Sequence, residues 1–240
     1  MKKDVASGIK RDFWLRIIVC LFVLLVSPWT WRIFSRNIII GLSLVGFSVV
    51  LTLAAGGKLK QLLLLTFFFL VYFQQWQTTE KINLAYLDND GQRVQQMRLR
   101  QYPPLYINFL GKKIWIPLGH WLEGRSESII LRRVKDNFGE LMDLNLYFFA
   151  NHPRERVGIR EFEKFYFLFL PFFIWGVVSL VKKWSVFIWV LVVILPIVLT
   201  SIVGHRNELG SFSLFPFMVM AIVHGLVDFL KMVNEKRRIN

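Results

Sequence analysis

The chain has one cysteine in 240 residues, Cys20, so no disulfide can form within it and no cluster of thiolates can hold zinc. Histidine is nearly as scarce. His120, His152, His205 and His224 stand apart, none at helical ligand spacing from another, so no metal site is expected and no cofactor is implied. The chain also lacks a Walker A loop, a G-x-G-x-x-G turn, an H-E-x-x-H helix and a G-x-S-x-G elbow. Those absences remove the motif-bearing nucleotide, zinc-protease and serine-hydrolase classes and leave the catalytic residues, if there are any, unknown.

Acidic residues are few as well: 16 against 30 Lys and Arg, a net charge of +14. An excess of this size can mean nucleic acid, but nucleic-acid binders gather their basic residues on a soluble module. Here the basic residues sit mainly at the ends of long apolar runs, where the positive-inside bias of membrane proteins puts them. The partner implied is the lipid bilayer, and no nucleic acid.

What the sequence does hold is apolar surface: 55% hydrophobic residues, with 23 Phe and 9 Trp. Six runs meet or approach the ~20 residues a bilayer requires, at about 14–34, 38–56, 60–77, 165–181, 184–203 and 210–230. Pro28 is expected to kink or end the first, with Trp29 and Trp31 at the interface. That run has no A-x-A-like exit and reads as a retained membrane helix. Cys20 within it reads as a lipid-facing or core thiol. Only Lys182 and Lys183 separate the fourth and fifth runs, which calls for a very tight connection and leaves open whether both fully span.

Basic residues fall at the N-terminus (Lys2, Lys3, Lys10, Arg11, Arg16), at Lys58 and Lys60, at Lys182 and Lys183, and at the C-terminus (Lys231, Lys236, Arg237, Arg238). The opposite short loops receive Arg32, Arg36 and Arg206. Both termini are therefore expected in the cytoplasm and residues 78–164 outside it. The fold class is an integral membrane α-helical protein. About six transmembrane helices carry a small α+β extracytoplasmic module between helices three and four, dividing the chain into 1–77, 78–164 and 165–240.

Within the module, Ile82–Leu87 alternates toward Asn89-Asp90-Gly91, a turn signal, and a second strand is expected over 93–100. Leu105–Phe109 and Ile114–Ile116, joined through Gly111, read as another hairpin. A helix capped by Ser126 or Ser128 should run to about 142, with Ile130, Val134, Phe138 and Leu141 as its apolar stripe.

The entry to the fourth run is the candidate site. A helix is expected to begin near Ile159 and continue through Phe165, with Arg160 and Lys164 on one face and Glu161 pairing with Lys164. Arg154, Arg156, Arg160 and Lys164, with His205 and Arg206 of the loop between the last two runs, form a candidate set for an anion or a lipid phosphate. The competing reading is a collar of snorkelling basic side chains with an aromatic belt of Phe148, Phe149, Phe162, Phe165, Tyr166 and Phe167. Asp228, four residues after His224, is a candidate structural ion pair with Arg16.

These features carry furthest to a non-catalytic component or accessory of a cell-envelope process involving lipid-linked or glycan material, with other membrane proteins as partners. The alternative is a transferase acting on a lipid- or polyprenyl-phosphate at the external interface, with Glu161 or Asp143 as base. A transporter subunit is third, since mid-membrane polar groups are few and no inverted repeat is evident.

Overall fold

The computed structural model describes residues 2–53, 58–79, 87, 89–101, 105–116, 125–149, 162–204 and 208–239. Helices dominate. Helix α1 (Lys2–Val26) stops before Ser27-Pro28, where the missing amide of Pro28 and the start of α2 (Pro28–Arg36) bend the chain by 68°. Helices α3 (Ile38–Leu53) and α4 (Lys58–Thr78) follow.

Between α4 and α8 the described residues form α5 (Asn89–Gln101), a two-stranded antiparallel sheet of β1 (Leu105–Phe109) and β2 (Lys112–Ile116), α6 (Ser126–Met142) and the short α7 (Asn145–Phe148). A 3₁₀ turn, Phe167–Phe169, leads into α8 (Leu170–Lys183). Two residues later α9 spans Val186–Val203, with a π turn at Val190–Ile194 just ahead of Pro196. A wide turn there relieves the clash a proline ring makes with the preceding turn. After a second 3₁₀ turn, Phe212–Leu214, the chain closes with α10 (Phe215–Ile239).

Helix α10 is the axis of the bundle, and α1, α3 and α8 pack on it. Its apolar residues from Phe215 to Val223 are buried. The closest approach is to α8, where glycine faces backbone on both sides. A Cβ on Gly176 would strike the Ala221 carbonyl, and one on Gly225 would strike the Phe172 carbonyl. Small residues at a crossing let two backbones meet, the device by which membrane helices gain dispersion contacts.

The outside of the bundle is apolar. Ile18, Phe22 and Leu25 on α1, Ile39 and Leu42 on α3, Phe69 on α4 and Val178 and Val181 on α8 all stand exposed. The buried side chains meanwhile include Ser43, Ser48, Thr52, Gln75 and Thr200. A surface of this kind suits lipid rather than water. Val186–Val203 and Phe212–Glu235 are each long and apolar enough to cross a membrane, and Asp12–Val26 with Pro28–Arg36 makes a third if the bent pair is one span. Among the described residues that gives two or three spans, consistent with a membrane protein.

Several expectations hold. The hairpin pairs Leu105 with Ile116 and Phe109 with Lys112, turning at Leu110-Gly111, where both residues have positive φ. Helix α6 occupies Ser126–Met142, although Arg125 is its N-cap and no side chain caps it. Its buried contacts come from Ile129 and Leu141, while Phe138 is exposed.

The strand expected over 93–100 is instead part of α5. Asn89 and Asp90 open a helix rather than a hairpin, and Asp90 in the first turn with Arg98 and Arg100 in the last match the helix dipole. The expected partner strand at 82–86 lies outside the described residues, apart from Leu87 at its end. The helix expected to run on from Ile159 is also absent over 162–166, which is irregular. The backbone of this segment is engaged elsewhere, with the Lys164 and Phe165 amides on the Tyr147 carbonyl and the Lys164 carbonyl on Ser27 and Trp29, and Pro171 in the first turn of α8 prevents one continuous helix through it.

Candidate functional site around Lys164

At the end of the bundle away from the termini, four segments meet at one lysine: the α1–α2 break, α7, residues 162–166 and the loop before α10. The break at Ser27-Pro28 turns the first residues of α2 inward, and Trp29 is fully buried. Its backbone amide donates to the Lys164 carbonyl at 3.3 Å, and the Ser27 hydroxyl donates to the same oxygen at 2.9 Å. The amides of Lys164 and Phe165 both donate to the Tyr147 carbonyl, at 3.0 and 2.9 Å. The segment 162–166 is thereby pinned between α2 and α7.

The Lys164 side chain, 1% exposed, points into this junction. Its Nζ donates to the Leu146 carbonyl at 2.8 Å. It also lies 5.2, 5.7 and 5.8 Å from the ring centres of Phe162, Tyr147 and Trp29, within the range of cation–π attraction. Gly210 faces the stem of this lysine at φ +70°, and a Cβ there would sit 3.1 Å from Lys164 Cε. The positive φ is what favours glycine here, and a Cβ would press lightly on the lysine stem as well.

Around it the polar groups are matched. Trp29 Nε1 donates to the Leu209 carbonyl at 2.7 Å, and the Tyr147 hydroxyl donates to the Leu141 carbonyl at 3.1 Å while lying 3.0 Å from Ser211 Oγ. Gln75 of α4 clamps the loop before α10, donating to the Gly210 carbonyl and accepting from the Ser213 amide. Asn137 of α6 donates to the Ser201 carbonyl at 2.9 Å, tying α6 to the end of α9. The arrangement is a knot of hydrogen bonds that joins α6, α7, α2, α4, the end of α9 and the loop before α10.

Of the candidate anion contacts, only Lys164 falls among the described residues; Arg154, Arg156, Arg160, His205 and Arg206 lie outside them. So does Glu161, while the carboxylate of Asp143 accepts from the Asn145 amide at 2.9 Å, in an Asx turn ahead of α7. The aromatic belt divides. Phe148 and Phe165 are buried with Trp29, whereas Phe149, Tyr166, Phe167 and Trp31 are exposed.

The expected Arg16–Asp228 pair is redistributed. Arg16 Nη1 donates to His224 Nε2 at 3.0 Å, and Asp228 accepts from Ser179 Oγ at 2.6 Å and from Lys183 Nζ at 3.1 Å. Both acceptors lie on α10, but successive turns of it meet different helices, α1 at His224 and α8 at Asp228. Lys231 pairs with Asp12 at 2.5 Å a turn further on. Among the described residues no three His, Cys, Asp or Glu stand close enough to hold a metal ion.

The sequence reading missed Trp29 as a buried anchor, and Tyr147, Gln75 and Ser211 altogether. The available signal was polar residues at the ends of apolar runs, Gln74-Gln75 and Ser211 among them. Compared with protein-family models, with curated proteins and with solved structures, the chain finds no match.

Proposed function

We propose that this is a six-span membrane protein, with both termini in the cytoplasm and residues 78–164 outside it. Its proposed role is a non-catalytic component of a cell-envelope process that handles lipid-linked or glycan material. The observation that supports a component is the hairpin. A two-stranded sheet is marginal alone in water and calls for a covering surface. Cross-strand neighbours Ile107 and Ile114 are 45% and 46% exposed, Phe109 on the same face is 62% exposed, and Leu110 at the tip is 89% exposed. Helix α5 beside it in sequence contributes no buried residue. Another membrane protein is the partner of the right chemistry for that apolar face. The envelope setting rests on the charge bias and on Arg154, Arg156 and Arg160, which also sustain the second reading, a transferase acting on a lipid- or polyprenyl-phosphate.

One complementation experiment separates the two, with protein level followed by immunoblot. Replacing Ile107 and Phe109 by Asp should abolish function at normal protein level. Replacing Arg154, Arg156 and Arg160 together by Lys should leave it intact. Lysine keeps the charge but cannot form arginine's paired bonds to a phosphate. Full function in the hairpin variant defeats the component reading, and loss in the lysine variant favours the transferase.

A further inference from the structure

Most buried hydroxyls in these helices turn back on their own backbone, and Thr200 is satisfied instead by Ser213 Oγ at 3.2 Å. Ser43, Ser48, Thr52, Thr79 and Ser201 each donate to the carbonyl four residues back, all at 2.7 Å. Thr30 does not. Four residues back is Val26, the last of α1, on the other side of the 68° bend. Its Oγ1 is buried with no partner, in a residue only 7% exposed.

Thr30 lies in the wall of a groove of about 290 Å³ in the crook of that bend, with Leu21 and Leu25 of α1, Trp31 and Phe34 of α2 and Val45 of α3. The groove opens toward the apolar outer surface, where Leu21, Leu25 and Trp31 stand 46%, 61% and 59% exposed. Helix α2 is amphipathic: Trp29, Thr30 and Ile33 face inward while Trp31 and Arg36 face out. Such a helix lies at the boundary between hydrocarbon and headgroups. That is the depth at which the acyl esters of a glycerolipid sit.

We propose that the groove holds one acyl chain of a bilayer glycerophospholipid, whose ester carbonyl accepts a hydrogen bond from Thr30 Oγ1. Oγ1 itself lies buried behind the apolar wall of the groove, and binding would turn it outward through the second of the two χ1 rotamers that threonine adopts in a helix. The ester carbonyl supplies the acceptor that the broken helix withholds. Hydrocarbon matches the remaining wall, and a lipid with ether-linked chains offers no carbonyl at that depth.

The test is a competition. The full-length protein in detergent is given equal amounts of diester and diether phosphatidylcholine of the same chain length, and bound lipid is read by native mass spectrometry. Wild type should prefer the diester by about five- to tenfold, the worth of one net hydrogen bond. Thr30→Val, equal in shape but without the hydroxyl, should bind both equally, and Thr30→Ser should keep the preference. Equal retention in wild type overturns the proposal, as does a preference that survives in Thr30→Val. The wild-type competition needs no variant, so a folding defect in either substitution leaves the proposal open to refutation. Retention of neither lipid also overturns it, and leaves the groove to an apolar segment of another protein.

Discussion

Lys164 Nζ and the Leu146 carbonyl, 2.8 Å apart and buried together, hold the segment ahead of α8 against α7, while the Lys164 carbonyl takes the bonds from Ser27 and Trp29. A lysine placed this way acts as a strut. Its ammonium reaches a main-chain acceptor, its stem packs on Gly210, and its own backbone serves Ser27, Trp29 and Tyr147.

The strut predicts an order of substitutions unlike that of a phosphate ligand. Lys164→Met removes the donor and leaves the Leu146 carbonyl buried without it, which should cost about 1–3 kcal/mol. Lys164→Arg keeps the charge but forces a larger planar head into a cage with no room beside Gly210, and should be at least as damaging. A phosphate ligand would tolerate or favour arginine. Thermal unfolding in detergent, with limited proteolysis between the module and α8, measures both. Arginine stability equal to wild type would refute the strut.

The crossing of α8 and α10 makes a sharper prediction, because backbone cannot move aside as a side chain can. Gly176→Ala and Gly225→Ala each place a methyl group against a carbonyl of the facing helix. Each should destabilise by about 3 kcal/mol or more, near the limit of what single substitutions do. Gly139 in α6 is the control, since nothing lies within 4 Å of a Cβ there. Gly139→Ala should be neutral or stabilising by up to about 1 kcal/mol from helix propensity. Protein level in the membrane fraction and melting temperature report the three variants side by side.

Much of this architecture was legible in the sequence, and the failures have identifiable causes. Pro28 announced the break in the first run, and alternation about Leu110-Gly111 announced the hairpin. Both are local effects of backbone geometry. Residues 93–100 misled because an Asn-Asp-Gly run opens a helix as readily as it turns a hairpin, and the Gln- and Arg-rich stretch after it favours helix. Pro171 stood in plain view and was outweighed by the charge pattern before it. Lys164 was not legible at all. Nothing in Glu163-Lys164-Phe165 separates a snorkelling lysine from a buried one, because its cage comes from Trp29, Tyr147 and Phe162 meeting in three dimensions. Arg16 was expected at Asp228 and bonds instead to His224, one turn earlier on α10.

That turn can be tested by exchanging charges. Asp228 pairs with Lys183, whose side chain is half exposed, so the bridge itself should contribute under about 1 kcal/mol. Asp228→Lys alone sets two cations together, and Lys183→Asp alone sets two acids together. Each should lower the amount of protein in the membrane, and the double exchange should restore it. Exchanging Arg16 and Asp228 should restore nothing, since Arg16 bonds to His224. Immunoblots of membrane fractions decide between the two exchanges, and rescue by the Arg16–Asp228 exchange alone would reverse the assignment.

Orientation is the prediction on which the proposed role depends most. Under the proposed six spans, Lys2, Lys3, Lys58, Lys60, Lys182, Lys183 and Lys231 would mark one side of the membrane, and Arg32, Arg36 and Arg206 would be all that the short loops of the other side carry. The positive-inside bias acts on short loops and helix ends, so a long insert with a basic balance does not weaken it. A reporter active only outside the cytoplasm should therefore work when fused near residue 120 and stay silent when fused after Asn240. Silence at the first position and activity at the second would invert the topology. The hairpin and the Lys164 junction would then face the cytoplasm, and a role in handling envelope material outside it would lose its basis.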